Sequence, residues 1–125
     1  MDKHIPYEQL LNRPCDFMVK YRFYTAEEGG RKVQTFFQGY RSDFMYYEDQ
    51  ISDGIYAIHP EFLDKHDQVI SDNSNPVAQA GKAKMWILNT KFYEYHKSRL
   101  TIGSKGYFME GAIKVAECEV IKLNL

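Results

Sequence analysis

The sequence predicts an all-β fold: a single closed antiparallel β-barrel of about six to seven strands, preceded by a short helical turn. Three observations carry that expectation. Aromatic side chains are 15% of the 125 residues, with ten Tyr and eight Phe among them, and aromatic residues fit a pleated, half-buried surface. Short segments of alternating apolar and polar residues recur at close spacing, with Gly, Asn, Asp and Pro between them. Beyond the first dozen residues, helical periodicity is weak. The length suits one domain with a real core, so residues 1–15 are read as an N-terminal extension and 16–125 as the barrel.

The elements follow in order. Residues 4–12 (HIPYEQLLN) read as a helical turn, with Pro6 at a first-turn position, Leu10 and Leu11 available for docking, and Pro14 as the break. Residues 16–24 (DFMVKYRFY) place Phe17, Val19, Tyr21 and Phe23 on one face and Lys20 and Arg22 on the other, the pattern of a half-buried strand. Glu27 to Gly30 form a turn. Strands are expected over 32–38 and 43–49, around Gly39, with a short one from Ile55 to Ile58. PEFLDKHD (60–67) reads as one helical turn and SDNSNP (71–76) as a polar loop. Residues 82–89 form a strand apolar enough to be buried on both faces, and 98–103 and 107–122 supply the last strands. Val115 and Ala116 interrupt the alternation before Cys118 and Val120 resume it, which predicts a β-bulge.

Charge and cysteine content bound the function. Sixteen basic and seventeen acidic side chains give a net charge of −1, so phosphate binding would need a local basic patch, since neutralising phosphates supplies much of the affinity for nucleic acid. Cys15 and Cys118 form neither a disulfide framework nor a CxxC pair. No apolar run is long enough for a signal peptide or a membrane span. Two reduced thiols, a cytoplasmic location and no membrane association are the expectations.

Two motifs carry a family resemblance. Thr25 to Lys32 (TAEEGGRK) and Phe36 to Phe44 (FFQGYRSDF) resemble, in order and spacing, the opening of the third, C-terminal barrel domain of elongation factor Tu. There an acidic–Gly-Gly-Arg turn precedes a Phe-Phe-x-Gly-Tyr-Arg-Pro-Gln-Phe segment. Gln79 to Leu88 (QAGKAKMWIL) is similar to the family's Pro-Gly-Asp strand, and Arg99 to Ala112 (RLTIGSKGYFMEGA) to its penultimate hairpin. The likeness spans residues 16–123 and is most specific in its first third. It implies a stand-alone barrel of that family. No GxxxxGK[ST] loop occurs, so no GTP binding is expected of this chain.

In the family this barrel packs against a GTPase domain and a middle barrel and grips the T-stem backbone of aminoacyl-tRNA. The resemblance therefore puts the binding residues at Arg31 and Arg41, the arginines of the two motifs, with Tyr40, Gly30 and Gly39 beside them. Asp43 stands where the family has a Gln that meets RNA, and a carboxylate there repels phosphate. Ser42 replaces a Pro. Ser104-Lys105-Gly106 replaces Glu-Gly-Gly, so that Lys105 substitutes a phosphate-binding side chain for a close backbone approach.

Other residues admit plainer readings. Arg31 either contacts a partner or anchors its own turn through Glu27 or Glu28. Arg41 beside Tyr40 reads as a stack or ion pair. Gly29, Gly30 and Gly39 serve turns, since no helix follows to make a phosphate loop. His59, His66 and His96, with Asp64 and Asp67, have no compact metal-ligand spacing and read as surface residues. Glu117 and Glu119 share a solvated strand face without a companion nucleophile. The tyrosines and phenylalanine at 40, 44, 46, 47, 56, 93, 95 and 107 exceed what a core needs, and some are expected on a recognition surface.

The sequence thus points to a binding module with no catalytic constellation, no metal and no cofactor. Its expected partner is either the translation machinery (tRNA, the ribosome or a translation factor) or a protein alone, through mimicry or immunity-type neutralisation. The identity of that partner, the oligomeric state and a separate GTPase subunit stay open at this level.

Overall fold

The computed structural model describes residues 3–125, so Met1 and Asp2 of the expected N-terminal extension lie outside the described residues. Its elements are α1 (Tyr7–Leu11), β1 (Phe17–Phe23), β2 (Asp43–Tyr46), β3 (Ile58–Phe62), β4 (Ala80–Ile87), α2 (Tyr93–Arg99), β5 (Lys105–Glu110) and β6 (Ile113–Leu123). Six antiparallel strands form one sheet in the order β2-β5-β6-β1-β4-β3.

Sequence alternation sets the curvature and the core. Phe17, Val19, Tyr21 and Phe23 of β1 point inward, as expected, and meet Ala83, Met85 and Ile87 of β4 and Ala116, Cys118 and Val120 of β6. Burying each large apolar side chain contributes about 1.5–3 kcal/mol. The bulge predicted at Val115 and Ala116 is present: Phe108 pairs with Ala116 and Met109 with Lys114, leaving Val115 unpaired and both Val115 and Ala116 buried. A second bulge leaves Ile121 unpaired against Met18 and Val19. Gly106 lets β5 lie against β2, since a Cβ there would stand 2.4 Å from the Phe44 ring.

The barrel is open, which corrects the expected closure. The edge strands β2 and β3 share no ladder. One isolated pair, Phe44 and Tyr56, joins the seam with N–H···O bonds of 2.9 and 2.8 Å. The physical reason lies in 32–38, expected as a strand and found as a loop. Arg31 takes the carbonyls of Val33 and Thr35 at 2.7 and 2.6 Å, wrapping the segment around its own guanidinium and occupying acceptors that a ladder would need. Phe36 and Tyr40 then fold into the end of the core.

Two further expectations give way. Residues 60–62 are strand rather than helical turn. Phe62 turns its N–H and C=O away from β4, so Pro60, two residues earlier, faces the same free edge, where its missing N–H costs no ladder bond. Residues 98–103 are not a strand: α2 runs to Arg99 and a turn follows, with Gly103 at φ 92°.

The N-terminal segment lies on the outer face of β3 and β4. The Glu61 carboxylate, buried beneath it, accepts from Tyr7 N at 2.9 Å and Trp86 Nε1 at 3.1 Å and meets His4 Nε2 at 2.5 Å. Arg13 bonds Asp16 at 2.8 Å and the Ile87 carbonyl at 2.9 Å. Among the described residues no helix is long and apolar enough to cross a membrane.

Candidate functional site

The residues expected to bind are divided among three places. In the first, Arg31 and Tyr40 converge on one carboxylate oxygen. Glu110 Oε1 accepts from Arg31 Nη1 at 2.9 Å and from the Tyr40 hydroxyl at 2.6 Å, while the guanidinium lies 4.2 Å from the Phe36 ring centre and 5.2 Å from that of Tyr40. Burial, then Glu110, pushes the Tyr40 hydroxyl well above its usual pKa, which keeps it a donor. Arg31 is thus spent on Glu110 and its own loop, not on Glu27 or Glu28. Arg22 holds the turn instead, bonding both Glu28 oxygens at 2.9 Å and Glu117 at 2.7 Å. The cation over Tyr40 is likewise Arg31 and not Arg41.

Gly30 is required sterically: a Cβ would come within 2.8 Å of the Tyr24 carbonyl. Gly39 sits at φ 92° in open space, serving the turn that ends the loop.

The second place is the outer seam. Asp43 of β2 reaches His59 of β3, Oδ1 to Nε2 3.6 Å. Burial lowers the His59 pKa, with the Arg41 charge acting in the same direction and Asp43 opposing. Arg41 is exposed and has no hydrogen-bond or ion-pair partner among the described residues.

Lys105 lies at the far end of β5, in a third place. Tyr47, 56% exposed, stacks on Tyr107 with centroids 5.5 Å apart and planes at 21°. Lys105 Nζ stands 5.9 Å from the Tyr47 ring and Lys114 Nζ 4.3 Å from that of Tyr107. Neither lysine has a carboxylate within ion-pair distance among the described residues. Cross-strand register places Lys82, Lys20, Glu119 and Lys105 in one outward row across β4, β1, β6 and β5. A shallow groove of about 600 Å³ runs there, lined by Lys20, Arg22, Lys105, Glu117 and Glu119. Within the groove Lys20 meets Glu119 at 3.8 Å and Arg22 is held by Glu28 and Glu117, so among the described residues Lys105 is its one cation without an ion-pair partner.

Sequence reasoning missed one cluster altogether. His96, read as a surface residue, is 1% exposed on α2, and its Nδ1 lies 2.7 Å from the Tyr46 hydroxyl. Burial, then the Arg99 charge, holds its pKa at about 4. Arg99 stacks 3.8 Å from the Tyr46 ring centre and bonds Asp49 Oδ1 and Oδ2 at 2.7 and 2.9 Å. The spacing of Phe92, His96 and Leu100, one helical face, was the available signal. Cys15 and Cys118 are free and buried, and burial raises the pKa of each thiol. Among the described residues no three His, Cys, Asp or Glu side chains come together as metal ligands.

No family model matches this chain, and no curated protein sequence does.

Proposed function

We propose that this chain is a non-catalytic binding module, related to the third barrel of elongation factor Tu, that works in the cytoplasm around the translation machinery and holds RNA by its backbone. The reading is carried by the stacked pair Tyr47 and Tyr107 with Lys105 and Lys114 unpaired above the rings. Exposed aromatic faces stack on bases or sugars, and lysines without carboxylate partners neutralise phosphates. The motifs that contain Arg31 and Arg41 support the translation link. The contact itself shifts from Arg31, which is occupied, to Lys105 and Lys114, with Arg41 as an accessory cation. GTP binding is assigned to no part of the chain.

The test is fluorescence anisotropy with labelled tRNA over a salt series. Lys105→Ala and Lys114→Ala should each weaken binding and reduce the salt slope by about one unit, while Arg31→Ala should lower stability and leave the slope unchanged. Binding that is absent at low salt, or unaffected by both lysine substitutions, would sink the reading.

A protein partner with no RNA contact is the second reading. Leu88, Phe92 and Tyr95 favour it, each at least 40% exposed at the α2 end of the molecule. An RNase-resistant partner recovered without tRNA would select it.

A further inference from the structure

Tyr47 and Tyr107 are placed unequally in their stack. Tyr47 N donates to the Lys105 carbonyl at 3.0 Å, so β2 keeps its pairing with β5 one residue beyond Tyr46 and sets Tyr47 diagonally across from Tyr107. The planes lie at 21° with centroids 5.5 Å apart, an offset stack. Tyr107 is half-buried and engaged by the Lys114 ammonium, 4.3 Å from its centre, as well as by its partner ring. Tyr47 stays 56% exposed although it meets Tyr107. It is the open member of the pair, supported by the half-buried one.

An exposed ring fixed in this way is a platform for one more flat group. Strand pairing and the neighbouring ring orient it beforehand, so a third ring stacks with little further ordering. The flanking charges say what that group is attached to. Lys105 and Lys114 are exposed, stand beside the two rings and have no carboxylate within ion-pair distance among the described residues. A flat ring joined to phosphates answers both features, and every nucleobase offers such a face.

The same surface is poorly matched to a double helix. Inside a duplex, both faces of each base are covered by its neighbours, which leaves Tyr47 nothing to stack on. Farther across the sheet the cations are already held, Lys20 by Glu119 and Arg22 by Glu28 and Glu117. A second line of phosphates laid over β6 and β1 would meet no unpaired charge there. Two free lysines neutralise about two phosphates, the footprint of a short run of nucleotides.

On the RNA reading of this surface, we propose that Tyr47 is the stacking platform for one unpaired nucleobase. The surface takes a short single-stranded RNA segment in preference to an RNA helix, with Lys105 and Lys114 on the adjoining phosphates.

The test is fluorescence anisotropy on the full chain with a labelled single-stranded oligoadenylate, a blunt-ended RNA duplex of the same length, and tRNA as reference. The single strand is expected to bind about tenfold tighter than the duplex. Tyr47→Ala, at an exposed position, should keep the folded circular dichroism spectrum and weaken the single strand about tenfold, within the worth of one stacked base. Its salt slope should stay as in wild type, because no charge is removed. Tyr47→Phe, which keeps the ring, should bind as wild type does. A duplex bound as tightly as the single strand, or a single strand indifferent to Tyr47→Ala, overturns the proposal, while lysine-dependent tRNA binding in the same series keeps the RNA reading. Absence of binding to every RNA, tRNA included, overturns both.

Discussion

Gln38 replaces a missing strand opposite Phe62. Its carboxamide nitrogen donates to the Phe62 carbonyl at 2.9 Å and its oxygen accepts from the Phe62 N–H at 2.8 Å, the two bonds a neighbouring strand would make. The same nitrogen also donates to the Ile70 carbonyl at 2.9 Å. With Pro60 removing another donor, little of the β3 edge stays available for unwanted pairing.

Replacing Gln38 with Ala should therefore cost about 1–3 kcal/mol, because it strands the buried Phe62 N–H, while the Phe62 carbonyl keeps its bond from the Ile70 N–H at 3.1 Å. Urea unfolding measures this directly. A loss under about 0.5 kcal/mol would mean that water or the neighbouring loop satisfies Phe62.

The second prediction concerns acid. His96 titrates at about 4 in the folded protein and near 6.5 when unfolded. Between those values the unfolded chain binds the extra proton, so stability falls as pH drops from about 6.5 to 4. The loss is on the order of a few kcal/mol, at 1.36 kcal/mol per unit. The charged and titratable groups acting on the ring are Arg99 on its own helix, Tyr46 from β2, Tyr56 and Tyr95 beside it, and Asp16. His96→Gln should flatten the stability profile across this window relative to wild type, and a direct NMR titration should find the ring neutral at pH 6. An unchanged profile in the variant would contradict the buried assignment.

A third prediction uses Trp86, the single tryptophan. Its ring is fully buried, with Tyr7 edge to face at 5.9 Å and the Arg13 guanidinium 5.5 Å from its centre. Deleting residues 1–11 should expose it and shift its fluorescence to the red. Glu61→Ala should cost about 2–4 kcal/mol by leaving the Tyr7, Trp86 and His4 donors unpaired. A blue, quencher-protected Trp86 after the deletion would show that the segment does not cover it.

Arg31 and Arg41 should separate cleanly. Arg31→Ala loses a charge-assisted bond to Glu110 and two bonds to its own loop, which should lower stability by about 2–3 kcal/mol. Arg41→Ala, at an exposed position, should stay within about 0.5 kcal/mol of wild type. Thermal unfolding of the two variants side by side decides it, and equal losses would contradict the assignment.

Where local pattern and tertiary contacts agreed, the fold was legible in the residues. Phe17, Val19, Tyr21 and Phe23 declare their face by alternation alone, and the doubled apolar pair Val115–Ala116 declares the bulge. The loop at 32–38 was not legible, because its conformation depends on Arg31 meeting Glu110, 79 residues away. Pro60 misled for a similar reason, since a proline is compatible with a strand only when that strand is an edge. For the candidate surfaces, the arginine motifs drew attention to Arg31, whose charge is absorbed internally. Tyr47 and Tyr107 become neighbours only through the β2–β5 pairing, and His96 could be placed only by recognising α2.

The two strands at the middle of the sheet, β1 and β6, come from opposite ends of the described chain, with Phe17 paired to Leu123. During synthesis the first strand is made with one of its flanks waiting for a neighbour, Ile113–Leu123, that comes after four further strands and α2 in the described chain. Pairings of such long sequence separation form slowly. A nascent chain halted near residue 110 would hold β1 through β5 yet lack the strand that joins β1 to β5, leaving Tyr21 and Phe108 without the sheet that brings them together. Such a product is a natural target for chaperones and proteases, and the completed barrel is in effect a checkpoint for having been translated through Leu123.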